Sequence, residues 1–369
     1  MSPARAPYME WAKTRPSPAI DLAGSNLLAC SLEDLPGARD AVDLAGDSPD
    51  GYPPLLEAIA RHAGVEPDCV ATGAGCSGAN FLALTALLSP GDEDLVEAPG
   101  YDPLVAAAEM LGAPVRRFPR LFEDGFGLDP RVIASAITPA TRVIVLSDPH
   151  NPSGVLAPEN QLDALAALAE EKGIEVLVDE VYLDVVPPPR RAPAATRSER
   201  FLSTNSLTKA YGLSSLRCGW VLSRRDITQR VRRARDVVDV SGPIPAERLA
   251  VHAFRHLDRL TRRMRALVDV NAALVAEFLA TRRELEFAPP RGTIVFPRFR
   301  DGSDSGPFSE ALLRDRGVAI VPGTFFQAPG HFRLAFGGET GKLQRGLEAI
   351  GEQLDARTPG GPGDHKVPR

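Results

Sequence analysis

No apolar run in this 369-residue chain approaches the ~20 residues needed to cross a bilayer. The opening stretch MSPARAPYMEWAKTRPSP lacks the apolar core of a signal peptide, so nothing in it marks export and a cytoplasmic protein is expected. The four cysteines, Cys30, Cys69, Cys76 and Cys218, are far apart and form no CxxC pair. They read as reduced thiols; neither a disulfide frame nor a zinc site is suggested, and no metal is expected. Positive charge is not in excess either. The net charge is −6, which argues against a nucleic-acid partner. Only five of the 42 basic residues are lysine, so a lysine in an informative setting stands out. The rest is ordinary globular composition, 44% hydrophobic and 24% charged, which excludes disorder, collagen and coiled coil. One core seldom grows past ~250–300 residues, so a large domain with a smaller one is expected.

From about residue 50 to 240, short apolar strands alternate with helical runs. Phe81–Leu88 reads as a buried helix stopped by Ser89-Pro90-Gly91, Asp94–Glu97 as a strand, and Pro103–Leu111 as a helix ending at Gly112. Arg142–Leu146 reads as a strand, Pro158–Lys172 as an amphipathic helix terminated by Gly173, and Ile174–Val178 as the next strand. This alternation predicts an α/β fold whose large domain has a mostly parallel sheet flanked by helices. Pro187–Ala195 reads as a surface loop and Ser241–Pro245 as a second break. A long helical region over about 246–284 follows, then short strands around Thr293–Phe296 and Val318–Val321, which together predict a smaller α+β domain. The expected division is an irregular segment 1–45 packing with the small domain, a large domain 46–243, a small C-terminal domain 244–357 and a disordered Pro/Gly-rich tail 358–369. The arginines of 224–235 predict a solvated helix face.

Four short motifs carry chemistry. Thr72–Asn80 is glycine-rich and leads into the Phe81 helix. Small residues there expose the first helical N–H groups as an anion site, although a plain tight turn is the alternative. The spacing of Gly73, Gly75 and Gly78 is GxGxxG, but no strong strand precedes it. Asp148-Pro149-His150-Asn151-Pro152-Ser153-Gly154 follows a strand, where ligands of open α/β sheets gather; a simple βα loop, with His150 satisfied inside it, is the alternative. Asp179-Glu180-Val181-Tyr182 follows the next strand, with a helix cap or ion-pair role as the alternative. Ser206-Leu207-Thr208-Lys209, followed by Arg217, sets an amine among small polar groups, where a lowered pKa makes it a nucleophile.

Order and spacing bind these motifs together. The glycine loop, Tyr101 in Pro99-Gly100-Tyr101, Asn151-Pro152-Ser153-Gly154, Asp179 with Tyr182, Ser206 with Lys209, and Arg217 eight residues later closely resemble fold-type I pyridoxal-phosphate enzymes of the aspartate aminotransferase superfamily, class I/II, from about Tyr52 to Phe336. By that resemblance Lys209 is the Schiff-base lysine and Asp179 the acid facing the pyridine nitrogen. Tyr182 and Asn151 become donors to the ring's phenolic oxygen, and Tyr101 the aromatic stacked on the ring. Gly75, Cys76, Ser77, Ser206 and Arg217 become the phosphate cup, with Cys76 contributing its backbone, and Tyr52 the tyrosine that reaches the neighbouring subunit's phosphate. Arg333, in His331–Phe336, becomes the grip on the substrate α-carboxylate, with Gly24 or Ser25 beside it.

The implied activity is transfer of an amino group between an α-amino acid and a 2-oxo acid, with pyridoxal 5'-phosphate as cofactor and a homodimer as the assembly. The alternative is a β-lyase cleaving C–S bonds, a cyclase or an oxidase on the same scaffold. No DNA-binding module precedes residue 45, so nucleic-acid and membrane partners are not expected. Val237, Val238, Asp239 and Val240 stand where relatives preferring dicarboxylic amino acids often carry an arginine, which disfavours aspartate as the main substrate.

Overall fold

The computed structural model describes residues 5–357; the tail expected to be disordered, 358–369, lies outside the described residues. The N-terminal segment contributes α1 (Pro7–Thr14), β1 (Ile20–Asp21) and α2 (Ala38–Ala41). Next come α3 (Pro53–Ala63), β2 (Val70–Ala74), α4 (Gly75–Leu87), β3 (Glu93–Ala98), α5 (Asp102–Met110), β4 (Val115–Pro119), α6 (Pro130–Ala136) and β5 (Thr141–Ser147). They are followed by α7 (Glu159–Lys172), β6 (Glu175–Asp179), β7 (Phe201–Ser206), α8 (Leu207–Tyr211), β8 (Cys218–Leu222) and α9 (Arg225–Val238). The last third holds α10 (Ile244–Arg255), α11 (Leu257–Thr281), β9 (Leu285–Glu286), β10 (Ile294–Val295), β11 (Arg298–Phe299), α12 (Ser305–Arg316), β12 (Val318–Ala319), β13 (Val321–Pro322), β14 (Phe332–Ala335) and α13 (Thr340–Asp355).

Seven strands form one sheet in the order β2-β8-β7-β6-β5-β3-β4. Strand β8 runs antiparallel to β2 and β7, and the other neighbours are parallel. Strands covered on both faces carry continuous apolar runs, and Val143–Leu146 and Val176–Val178 are fully buried. Alternate residues serve opposite faces. Val145 and Leu177 pack with Leu82 of α4 and Ile227 of α9; Ile144, Val176 and Val178 pack with Leu162 and Leu165 of α7. Helix α4 is apolar nearly all round because the sheet, α5 and α9 enclose it. Elsewhere β1 pairs with β12, β14 lies between β10 and β13, and β9 pairs with β11, around a core that includes Phe299, Phe332 and Leu347.

Four features depart from the sequence expectations. A strand does precede the glycine loop: β2 ends in Thr72-Gly73-Ala74, whose small side chains give little strand signal, and β8 pairs along its whole length. Helix α4 starts at Gly75, six residues before Phe81. The single helical region near 246–284 is two helices broken at His256, because α10 packs on α3 while α11 packs on α8 and α13. The arginine run is only partly solvated. Arg225, Arg230 and Arg233 are exposed, but Arg232 is buried on the carbonyls of Pro67 and Val70, and Arg235 on the Thr72 hydroxyl. Among the described residues no helix is long and apolar enough to cross a membrane.

Two glycines set how closely α4 approaches the sheet. A Cβ on Gly219 of β8 would lie 2.2 Å from the carbonyl carbon of Gly75, and backbone cannot move aside as a side chain can. Gly219→Ala is expected to lower stability by roughly 1–3 kcal/mol, read as a lower denaturant midpoint. Gly338→Ala, where nothing lies within 4 Å, should leave the midpoint unchanged.

Candidate active site

The carboxyl ends of β2, β5, β6 and β7 share one edge of the sheet, the edge where ligands bind in open α/β folds. A cavity of about 260 Å³ opens there. The predicted residues Gly24, Cys76, Ser77, Tyr101, Asn151, Asp179, Tyr182 and Lys209 all line it. Tyr8 and Met9 of α1 form its outer wall, which the sequence reading did not anticipate.

Lys209 sits on α8, a single turn held at both ends. The Ser206 hydroxyl accepts from the Thr208 amide at 3.3 Å, and Gly212, at φ +70°, ends the helix. The Lys209 Nζ donates to Asn26 Oδ1 at 2.6 Å and to Ser25 Oγ at 3.2 Å. No carboxylate pairs with it among the described residues. Burial, with help from the Arg333 charge, brings the amine down to about 8, although Asp179 acts in the opposite direction.

Asp179 ends β6 and is buried. Its Oδ2 accepts from Asn80 Nδ2 at 2.8 Å; its Oδ1 accepts from the Val181 amide at 3.0 Å and the Cys76 thiol at 3.4 Å. Among the described residues it caps no long helix and has no cationic partner within ion-pair distance. Burial raises its pKa, against the three donors and the Lys209 charge. The Cys76 thiol is itself held protonated, well above its ordinary range, by burial and by Asp179.

Around this pair the polar groups are ordered. The Tyr182 hydroxyl donates to Ser25 Oγ at 2.8 Å, and burial pushes it up to about 12. The Asn151 amide nitrogen of the backbone donates to Ser147 Oγ at 2.8 Å. Its side-chain Oδ1 accepts from Arg333 Nη1 at 2.9 Å, which leaves Nδ2 as a free donor. Ser147 is fixed in turn by Glu97, whose other oxygen accepts from Arg120 at 2.7 Å. His150 is buried between Ser153 Oγ and the Pro99 carbonyl, at 2.7 and 2.9 Å; burial, then Arg120, drive its pKa well down, so it is a neutral structural residue. The Tyr101 hydroxyl donates to Met9 Sδ, and its ring meets Tyr8 edge-on.

Arg333 on β14 is fully buried and does not line the cavity itself. Its Nη2 donates to the Tyr8 hydroxyl at 2.6 Å and the Ala23 carbonyl at 3.0 Å, so it meets the cavity through Tyr8 and Asn151. Burial lowers its pKa, but the phenols of Tyr8 and Tyr182 outweigh that and keep it a cation. Arg217 and Ser206 also stand outside the lining. Arg217, at φ +49°, donates to the carbonyls of Ala74 and Ser214 and wedges beside Gly75, where a Cβ would come within 2.3 Å of it. Ser206 is buried as the cap of α8. Tyr52 caps α3 away from the cavity, with the Arg248 guanidinium 5.5 Å above its ring. The Gly24 amide donates to Asp21, which also holds Arg15.

Asn80, the last residue of the glycine-rich motif, was given no role of its own from the sequence, and Thr204 went unremarked. A lone asparagine in the apolar run entering α4 was the available signal for the first; Thr204 offered none. A buried acid without a cation, an amine without an acid, and a backbone cradle at Gly75 that no Cβ permits form a donor set that fits pyridoxal phosphate. The acid suits a protonated ring nitrogen, the amine an aldehyde and the cradle a phosphate.

Known proteins share this fold. The family model for aminotransferase class I and II matches residues 43–350. Capreomycidine synthase of Streptomyces vinaceus is 35% identical over 296 residues, covering 79% of this chain and 76% of that protein. The aspartate/prephenate aminotransferase of Thermus thermophilus is 30% identical over 317 residues, covering 83% and 82%. Among solved structures, a PLP-dependent aminotransferase from Streptococcus suis superposes with a TM-score of 0.90 at 26% identity, covering 96% of this chain and 99% of that one. The chain therefore belongs to the class I and II aminotransferase family.

Proposed function

We propose that this protein is a pyridoxal-phosphate-dependent aminotransferase acting on an α-amino acid and a 2-oxo acid. The observation that carries the reading is Lys209 and Asp179 facing one cavity, each without an ion-pair partner among the described residues. Backbone amides at Cys76 and Ser77, beside Gly75 whose own amide donates to the Arg217 carbonyl at 2.8 Å, would hold the phosphate with Ser206 and Arg217; Asp179 the ring nitrogen; Tyr182 and Asn151 the phenolic oxygen; Tyr101 the ring face. Bound there, the cofactor supplies an electron sink for the bond electrons released at the substrate α-carbon. Lys209 Nζ, whose pKa is lowered to about 8 so that a neutral fraction exists near physiological pH, takes the α-proton and returns it. Arg333 binds the α-carboxylate once Tyr8 yields its bond. The buried rings of Tyr8 and Tyr182, with half-buried Tyr101, limit water's access to these charges.

The resemblance to capreomycidine synthase keeps a second reading open, a cyclase or lyase with the same lysine and acid. The remaining expectations belong to the same proposal: the division at 46–243 and 244–357, a cytoplasmic location, small-molecule partners, and a homodimer. A dimer would cover the exposed Leu44, Val237, Val238 and Val240 and bring Tyr52 to the other subunit. A panel of amino donors, followed by cofactor absorbance, decides between the readings. Amino transfer that needs 2-oxoglutarate supports the aminotransferase; pyruvate and ammonia released without an oxo acid support the lyase.

Two further outcomes are expected. Arg333→Lys loses the forked grip and should raise KM for the amino donor roughly ten- to a hundredfold, with a smaller change in kcat. The rate at which cofactor-stripped protein takes up pyridoxal phosphate should climb with pH and level off above about 8, where the Lys209 amine becomes neutral. An unperturbed lysine would keep climbing toward about 10.4.

A further inference from the structure

Asn80 occupies an unusual place. It lies one turn after Cys76 on α4, so both side chains leave the same face of the helix. That face meets Asp179 of β6 and Thr204 of β7, which are directly paired across the sheet. The amide bridges the two. Its Nδ2 donates to Asp179 Oδ2 at 2.8 Å, and its Oδ1 accepts from Thr204 Oγ1 at 2.5 Å. All four residues are buried.

The amide can be turned only one way. The ionised carboxylate of Asp179 only accepts, so the NH2 end must face it, and the carbonyl end is left to the Thr204 hydroxyl, which can donate. Were the amide reversed, its oxygen would confront the Asp179 oxygens in a dry site, which is repulsive. A donor aimed at a carboxylate favours the ionised form. Desolvation favours the neutral acid instead, and a neutral acid cannot keep a neighbouring ring nitrogen protonated. The charged and titratable groups facing Asp179 are Lys209 from α8, Cys76 from α4, and the phenols of Tyr101 and Tyr182. Of these, only Lys209 favours the anion by charge, and Lys209 is the group that the reaction uses. The fixed donors must therefore hold the charge while Lys209 changes state.

We propose that Asn80 is a positioning residue: oriented by Thr204, it holds Asp179 as an ionised acceptor for the ring nitrogen of the cofactor. The same helix also carries the backbone amides assigned to the phosphate, so α4 sets ring nitrogen and phosphate in one register. This rests on the aminotransferase reading. It deepens that reading by assigning a residue that touches neither substrate nor cofactor.

The test compares wild type, Asn80→Leu, Thr204→Val and Thr204→Ser, each loaded with pyridoxal phosphate isotopically labelled at the ring nitrogen. Nuclear magnetic resonance then reads the protonation of that nitrogen directly, and steady-state kinetics runs alongside. The wild type should show a protonated ring. Asn80→Leu and Thr204→Val should shift the signal toward the unprotonated ring and lower kcat roughly ten- to a hundredfold, with KM little changed. Thr204→Ser keeps the hydroxyl and should keep the wild-type signal. A signal identical to wild type in Asn80→Leu and Thr204→Val, with cofactor bound, overturns the inference. If Asn80→Leu does not fold, the contrast between Thr204→Val and Thr204→Ser decides alone. Failure of the wild type to take up cofactor overturns the aminotransferase reading and this inference with it, whereas normal uptake with unchanged variants overturns the inference alone.

Discussion

Two opposite charges face one cavity, and among the described residues neither has an ion-pair partner. Asp179 is held by an amide, a backbone N–H and a thiol; Lys209 by a hydroxyl and an amide oxygen. Unpaired charges in a dry site are costly. A chain gains nothing in stability by building such a pair, and hydrophobic residues of similar size would serve the fold better. The arrangement makes sense as a half-site, complete only when a ligand supplies a proton donor toward the acid and a carbonyl toward the amine. The lowered lysine and the raised aspartate are the two sides of that incompleteness.

The rest of the fold serves to keep the half-site rigid. Asp179 and Lys209 follow adjacent parallel strands, so the sheet itself fixes their relative position. Behind them polar contacts are passed along: Arg120 to Glu97, Glu97 to Ser147, Ser147 to Asn151, and Asn151 to Arg333. Glu97 divides its two oxygens between Arg120 and Ser147, the Ser147 hydroxyl both donates to Glu97 and accepts from the Asn151 backbone amide, and Asn151 turns its side-chain oxygen to Arg333, so few rotamers remain open. The N-terminal helix closes the far side, with the Tyr8 hydroxyl resting on Arg333 where a substrate oxygen is proposed to come.

The sequence revealed some parts of this better than others, for physical reasons. Strands β5 and β6 were plain because burial on both faces writes an unbroken apolar run. Strand β7 was hidden because Ser203-Thr204-Asn205-Ser206 is polar, its side chains bonding to the Ala195 amide, Asn80, Asp184 and the Thr208 amide, and β2 was hidden by its small residues. Lys209, Asp179 and Asn151 stood out through their places after strands and their mutual spacing. Arg217 and Ser206 do not line the cavity: Arg217, at a left-handed position, donates to the carbonyls of Ala74 and Ser214, and Ser206 caps α8, directions that sequence order does not reveal. Tyr8 and Asn80 could not be placed at all from pattern. Their importance arises from contacts spanning 325 and 99 positions of the chain.

The most direct test of the central claim is chemical. The protein is incubated with pyridoxal phosphate, reduced with borohydride, digested and mapped by mass spectrometry. A single phosphopyridoxyl label on Lys209, absent from Lys209→Ala, is the predicted result. A label spread over the other lysines, or none, would contradict the account.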